Sequence, residues 1–106
     1  MTEKQELGNW LVEHLMEWDK CDCLMWVEPQ SGVHRDADWL TTTGDGMLEV
    51  LRKMHDRGFD CLVQTYYGTE EYRAEFYLES PQESFLASTL PLAVAHAAKT
   101  ALEAKA

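Results

Sequence analysis

The sequence predicts an α+β fold, a helix/sheet/helix sandwich in which three amphipathic helices pack on a small antiparallel sheet. Its 106 residues suit one domain, and 45% of them are hydrophobic, which is enough for one core. The spacing of the apolar residues changes repeatedly between the helical and the strand period along the chain. These observations predict a single domain over residues 1–106 with the element order α-ββ-α-ββ-α.

The first element is predicted to be an amphipathic helix over residues 3–19. Its apolar residues recur at helical spacing, and charged residues occupy the other sides. The predicted apolar stripe consists of Leu7, Trp10, Leu11, His14, Leu15 and Trp18.

A short antiparallel hairpin is expected next. Residues 23–27 are apolar and strand-like, and turn residues at 28–32 precede a return strand over 33–39. Asp36 and Asp38 are poor strand residues, so whether this hairpin forms in full stays open.

The second helix is predicted over residues 44–57. Thr42 and Asp45 have nearly the form of a capping box at its start, with Asp in place of the usual Glu. Gly58 is suited to end the helix. The predicted buried stripe consists of Met47, Leu48, Leu51, Met54 and His55.

The second hairpin shows a clearer alternation. Residues 59–64 and 72–79 have the strand period, and the turn between them includes Gly68. In the return strand the two faces are predicted to carry Tyr72, Ala74, Phe76 and Leu78 on one side, and Arg73, Glu75, Tyr77 and Glu79 on the other.

The last element is predicted to be a helix that follows a loop over residues 80–84. Thr89 can cap it, and Pro91 lies in its first turn, where proline is tolerated. Its apolar face is built mostly from small residues, so we expect close packing against neighbours; this face consists of Leu92, Ala95, Ala98 and Leu102.

The charge of the chain limits its partners. Nine Lys and Arg against 19 Asp and Glu leave a net charge of −10. Nucleic acids and anionic membranes are bound by clustered cations, so neither is expected as a direct partner. A basic host protein, or a small anionic ligand held by a few local cations, remains compatible with this charge.

The sequence is typical of a cytoplasmic protein. It opens without a basic segment that leads into an apolar stretch, and it lacks an apolar run of the ~18 residues that a membrane span needs. Its three cysteines, Cys21, Cys23 and Cys61, form no even framework for disulfides, so reduced thiols are expected.

Metal binding and catalysis find little support in the sequence. Cys21 and Cys23 lack the second close pair of ligands that a structural zinc site needs, and the histidines are scattered. The segment Gly44-Asp45-Gly46 lacks the rest of a phosphate-binding fingerprint. No catalytic residue, metal or cofactor is therefore expected. The histidines are His14, His34, His55 and His96.

Aromatic and arginine side chains near the two hairpins are the candidates for ligand binding. Exposed rings with guanidinium groups nearby suit stacking on a base and contact with phosphate. The alternative is that the rings fill the core and the arginines pair with carboxylates. The candidate ligand-binding residues are Trp26, Arg35, Trp39, Tyr66, Tyr67, Arg73 and Tyr77.

Four segments carry a resemblance to a known family. They are LGNWLVEHLM at 7–16, LEVLRKM followed by GFD at 48–60, YRAEFY at 72–77, and the alanine-rich stretch 91–102. In this order they resemble the small phage proteins of the phage ABA sandwich family, over nearly the whole chain, with a departure in the short, acidic first hairpin. The resemblance implies a helix/sheet/helix sandwich encoded by a phage or prophage, and it brings no catalytic motif.

Three hypotheses for function follow. The first, which rests on the phage resemblance, is a non-enzymatic anti-defence protein that sequesters a small anionic, nucleotide-type immune signal in the cytoplasm of the infected host. In it the aromatic residues stack on the base, Arg35 or Arg73 contacts phosphate, and the pocket lies between protomers of a homo-oligomer. The second is an acidic inhibitor that binds a basic host protein, with spaced carboxylates that mimic nucleic acid. The third is a hydrolase of the same signal with His34 or His55 as the base.

Overall fold

The structure is a computed structural model that describes residues 2–21, 25–65, 68, 71–77 and 85–105, of which residues 85 and 105 are described by their backbone alone. The α-helices are α1 (Glu3–Leu11), α2 (Trp39–Thr42), α3 (Gly44–Asp56) and α4 (Leu90–Lys105). The strands are β1 (Asp19–Lys20), β2 (Trp26–Val27), β3 (His34–Arg35), β4 (Asp60–Thr65), β5 (Tyr72–Tyr77) and β6 (Phe85–Ala87).

The predicted fold class is confirmed, since helices are layered on small antiparallel sheets. In detail the strands form two three-stranded sheets, β1-β2-β3 and β4-β5-β6, where the sequence predicted two hairpins. Strand β6 was not predicted. The predicted loop over 80–84 lies outside the described residues.

The predicted first helix ends earlier than residue 19. Thr2 caps it in a reciprocal capping box with Gln5. After Leu11 the chain continues as a π-helical turn, Val12–Met16, which Glu17 ends in the left-handed conformation with φ 56°. The wider turn rotates the following residues, so Val12, Leu15 and Met16 are buried while His14 of the predicted stripe is exposed.

The first sheet is shorter than the predicted hairpin. Antiparallel pairing sets Trp26 opposite Lys20 on one side and opposite Arg35 on the other. The predicted strand over 33–39 is wrong at its end, because Trp39 begins helix α2. Residues 23 and 24 of the predicted first strand lie outside the described part of the chain.

Helix α3 matches its predicted bounds closely, and its cap and buried face differ in detail. Thr43, one residue after the predicted cap Thr42, accepts the backbone N–H of Gly46 at 2.9 Å. Leu48, 58% exposed, and His55 lie off the buried face, which is centred on Val50 and Met54. Gly58, at φ +90°, follows the end of the helix as predicted.

The second sheet has the predicted alternation of faces. Cys61 pairs with Phe76 and Val63 with Ala74, on the face that packs against α4. The outer face carries Leu62 opposite Glu75. Glu75 is 7% exposed although it lies on this outer face, which the alternation alone does not predict.

Helix α4 connects the second sheet to the other helices of the described structure. It contacts β5 and β6 and also α1, α2 and α3. Alanines such as Ala93, Ala97 and Ala98 let these layers approach closely, and all three are buried. None of the helices in the described part of the chain is both long and apolar enough to span a membrane.

Candidate functional site

Arg35 and Trp39 form the centre of a candidate binding site at the first sheet. Arg35 lies on β3, and its guanidinium carbon lies 4.1 Å from the centroid of the Trp39 ring at the start of α2. A guanidinium over an indole ring is a favourable cation–π contact. The carboxylate of Glu28 lies 3.8 Å from an Arg35 nitrogen. The Nε atom of Arg35 is buried and has no hydrogen-bond partner among the described residues.

The Trp39 ring has neighbours on more than one side. Besides Arg35, the ring of Trp18 lies 6.0 Å away at an interplanar angle of 41°. Trp39 itself is half-buried. The Arg35 guanidinium therefore occupies part of the Trp39 ring surface on which a ligand base would stack.

The segment that leads into Trp39 is held by α1 at backbone contact. A Cβ atom built on Gly8 would lie 1.7 Å from the carbonyl oxygen of Ala37, so the approach depends on glycine. The hydroxyl of Thr41 donates to the Lys4 carbonyl at 3.0 Å. These two contacts fix Trp39 relative to α1.

Trp26 has a structural role. It is 6% exposed, and its indole N–H donates to the Asn9 side-chain oxygen at 2.8 Å. The Lys20 ammonium lies 5.6 Å from its ring centroid. This burial leaves little of the Trp26 ring for a ligand in the described conformation.

A cleft of about 100 Å³ opens beside Trp18. We call it the α3 cleft, because Glu49, Arg52 and Lys53 of α3 form one wall. The π-helical turn and the loop at 28–30 complete the lining, through Met16, Trp18, Glu28, Pro29 and Gln30. Two residues of the cleft lining contact the Arg35–Trp39 pair: the Trp18 ring lies next to the Trp39 ring, and the Glu28 carboxylate pairs with Arg35.

The α3 cleft concentrates positive charge in an acidic protein. Three of the nine Lys and Arg residues, Arg35, Arg52 and Lys53, lie at the cleft or at its margin. They face two carboxylates, those of Glu28 and Glu49, and Glu49 forms an ion pair with Arg52. The lining itself is therefore neutral, and Arg35 at its margin adds one positive charge, whereas the chain as a whole has a net charge of −10.

The predicted residues of the second sheet lie apart from this cleft. Arg73 and Tyr77 are on β5, and neither lines the cleft. An Arg73 nitrogen lies 3.8 Å from the Glu75 carboxylate, and the buried Nε of Arg73 has no partner among the described residues. Tyr66 and Tyr67 lie outside the described residues. That these seven side chains bind a ligand stays a prediction.

Sequence reasoning missed Arg52 and Lys53 as site residues. Cations near the C-terminal end of a helix are favoured by the helix dipole alone, so their position does not mark a site. No local pattern marks them, because the other walls of the cleft come from residues 16–18 and 28–30. Only the packing of α3 on the π-helical turn brings these segments together.

The histidines and cysteines are distributed over the molecule. The His14 ring stacks on Trp10 at 4.2 Å and its Nδ1 lies 2.8 Å from the Trp10 carbonyl oxygen. His96 pairs with Glu3 at 2.8 Å, whereas His34 and His55 are exposed. Within the described part of the chain, no three His, Cys, Asp or Glu side chains are grouped so as to hold a metal ion.

Cys61 is a thiol of low reactivity. Burial, and to a lesser degree the Glu75 carboxylate, raises the pKa of the Cys61 thiol from 9.0 to about 11. It is therefore protonated at neutral pH, which disfavours its use as a nucleophile.

Comparison with known proteins shows the fold. A crystal structure of a phage protein from Bacillus cereus is similar over 97% of this chain and 90% of that chain, with a TM-score of 0.74 and 11% sequence identity. No protein-family model matches the sequence, and no curated protein matches it. The chain thus has the fold of a phage protein, and membership of the phage ABA sandwich family stays a prediction.

Proposed function

We propose that this protein binds a small anionic, nucleotide-type ligand and sequesters it without converting it. The observation that carries the proposal is that Arg52 and Lys53 line the α3 cleft, while Arg35 lies at its margin, 3.8 Å from the carboxylate of the lining residue Glu28. In a chain with a net charge of −10, two cations in one cleft and a third at its margin supply donors that a phosphate needs.

The size of the cleft supports a phosphate group, rather than a whole nucleotide, as its occupant. Ligand pockets for whole small molecules are typically about 300–1,000 Å³, whereas this cleft has about 100 Å³. A phosphate group is of the size that it can take, with Arg52 and Lys53 as donors. The nucleoside then extends out of the cleft toward its margin.

Arg35 and Trp39 supply the second part of the proposed site. The Arg35 guanidinium has a buried Nε without a partner among the described residues, and its carboxylate neighbour is 3.8 Å away. An anion that draws Arg35 toward the cleft would give it closer hydrogen bonds. The same movement would uncover the Trp39 ring for a base.

The proposed biological role is that of a phage-encoded accessory protein. The similarity in fold to a phage protein supports a phage origin. Sequestration of an immune signal in the cytoplasm of the infected cell is the anti-defence role that we propose, and it requires binding without turnover.

The test is a calorimetric titration with inorganic phosphate, cyclic dinucleotides and cyclic ADP-ribose as probes. Arg52→Gln is expected to weaken binding about tenfold or more, because it removes a charge-assisted hydrogen bond. Glu49→Gln is expected to tighten binding, because it releases Arg52 from its ion pair and removes a negative charge. Lys4→Gln removes an exposed lysine of α1 and serves as the control, with unchanged affinity.

The fate of the ligand separates the three hypotheses. Protein mixed with lysate from infected cells is re-isolated and heat-denatured, and the released compounds are identified by mass spectrometry. An intact nucleotide supports sequestration, whereas a converted product would make the protein an enzyme and overturn the proposal. Absence of any ligand, together with salt-sensitive capture of a basic host protein, would favour the acidic inhibitor instead.

A further inference from the structure

Strand β4 is an open edge in the described structure. It is the outermost strand of the sheet β4-β5-β6, so one side of its backbone lacks a strand partner there. Five of its six residues are exposed. Leu62, at 47%, and Val63, at 39%, are large apolar side chains on this exposed strand.

The strand lacks the features that keep sheet edges apart. Natural edge strands are commonly short, interrupted by proline or a bulge, or marked by lysine. Strand β4 has six residues in unbroken register with β5, from Asp60 opposite Tyr77 to Thr65 opposite Tyr72. It contains neither proline nor lysine, and Asp60 is its one charged residue. It is therefore suited to accept another strand.

We propose that β4 pairs antiparallel with β4 of a second copy of this chain. The two three-stranded sheets would then form one continuous sheet across a two-fold axis. This inference is independent of the proposed ligand, because no residue of β4 lines the α3 cleft.

The strand is complementary to itself, which identifies a second copy as the partner. A two-fold axis perpendicular to the sheet at Leu62 sets Leu62 opposite its own counterpart. Cys61 then faces Val63, and the Asp60 carboxylate faces the Gln64 amide, which can donate to it. No like charges face each other in this register.

Charge favours this edge as the place where two copies meet. The chain carries 19 Asp and Glu residues, so two copies repel each other over much of their surface. Only one of these residues, Asp60, lies on β4. The exposed apolar side chains Leu62 and Val63 lie on this same strand.

The contact is small, so the dimer is expected to form in a concentration-dependent way. Pairing of one short strand buries less than the roughly 1,200 Å² that typifies stable complexes. Sedimentation velocity over a series of protein concentrations is the direct measurement. Hydrogen exchange should show backbone protection at residues 60–65 that rises with concentration.

A pair of matched variants tests whether Leu62 lies in the dimer interface. Leu62→Lys places two ammonium groups opposite each other and should weaken the dimer by about tenfold or more, since facing like charges oppose strand pairing. Leu48→Lys makes the same change at an exposed leucine of α3 and should leave the dimer intact. Both side chains are exposed, so both variants are expected to fold, which circular dichroism checks.

The outcomes decide whether the edge of β4 is a dimer interface. A chain that stays monomeric at every concentration overturns the inference, as does a dimer that both variants weaken equally. A dimer that Leu62→Lys alone weakens supports it. Because the α3 cleft is elsewhere, Leu62→Lys should keep its phosphate affinity, so failure of this inference is distinguishable from failure of the proposed function.

Discussion

Replacement of Gly8 by alanine tests the contact that holds Trp39 in place. The added Cβ would lie 1.7 Å from the Ala37 carbonyl oxygen and 2.9 Å from its carbon, whereas Cβ contacts under 3.0 Å essentially never occur. The two backbone segments must therefore separate by more than about 1 Å, which neither can do by a rotamer change. Helix α1 and the 37–38 segment would both have to shift.

The expected loss of stability follows from two opposing effects. Forcing an extra methyl group into a packed contact costs about 1–3 kcal/mol, and here the obstacle is backbone, so the upper end applies. The higher helix propensity of alanine returns up to about 1 kcal/mol. The net loss is then about 2 kcal/mol, which for a domain of this size lowers the Tm by roughly 8 °C or more.

The assay is thermal and urea unfolding followed by tryptophan fluorescence, with Gly44→Ala as the matched control. A Cβ on Gly44, the first residue of α3, would meet nothing within 4 Å. This control should therefore be neutral or stabilising by a few tenths of a kcal/mol. If Gly8→Ala and Gly44→Ala unfolded at the same temperature, the close approach of α1 to the site would be refuted.

Two further predictions concern the backbone and the buried thiol. Glu17→Gly should raise the free energy of unfolding in urea by about 0.5 kcal/mol, because glycine adopts the left-handed conformation without strain. The control Glu13→Gly, in the π-helical turn, should lower it by a similar amount. If both variants changed it equally, backbone strain at Glu17 would be contradicted. With its pKa raised to about 11, Cys61 has about a hundredfold less thiolate at pH 8 than a thiol of pKa 9.0; since a more basic thiolate is also more nucleophilic, it should react with iodoacetamide roughly tenfold more slowly. Because the unfolded chain loses this proton at lower pH, stability should fall as the pH rises from 9 toward 11, and Cys61→Ala should remove that component of the slope.

The regular elements were the predictable part of the fold. The alternation in β5 correctly placed Ala74 and Phe76 on one face, which is buried, and the spacing in α3 correctly placed a helix that ends before Gly58. These signals are local, because each depends on a repeat of two or 3.6 residues along the chain. The least regular segment, around residues 22–39, was also the one whose predicted strand end proved wrong at Trp39.

The rotation of the helices was less predictable than their existence. The stripe predicted for the first helix included His14, which is exposed, because the π-helical turn shifts the faces by a fraction of a turn. Glu75 was predicted on the face opposite Ala74 and Phe76, and it is buried as they are. In both cases the exposure of the side chain depends on contacts with other elements. Such contacts do not follow the period of the helix or the strand, so the sequence pattern does not predict them.

The sequence by itself determined the fold class, the second hairpin, the acidic surface and the short list of arginines and aromatics. The tertiary structure alone decided which of them meet. It set Arg35 on Trp39, buried Trp26 against Asn9, and brought Arg52 and Lys53 to the cleft beside Trp18. The physical reason is that periodicity encodes which side of an element faces the core, whereas a site is built from contacts between segments that are distant in sequence.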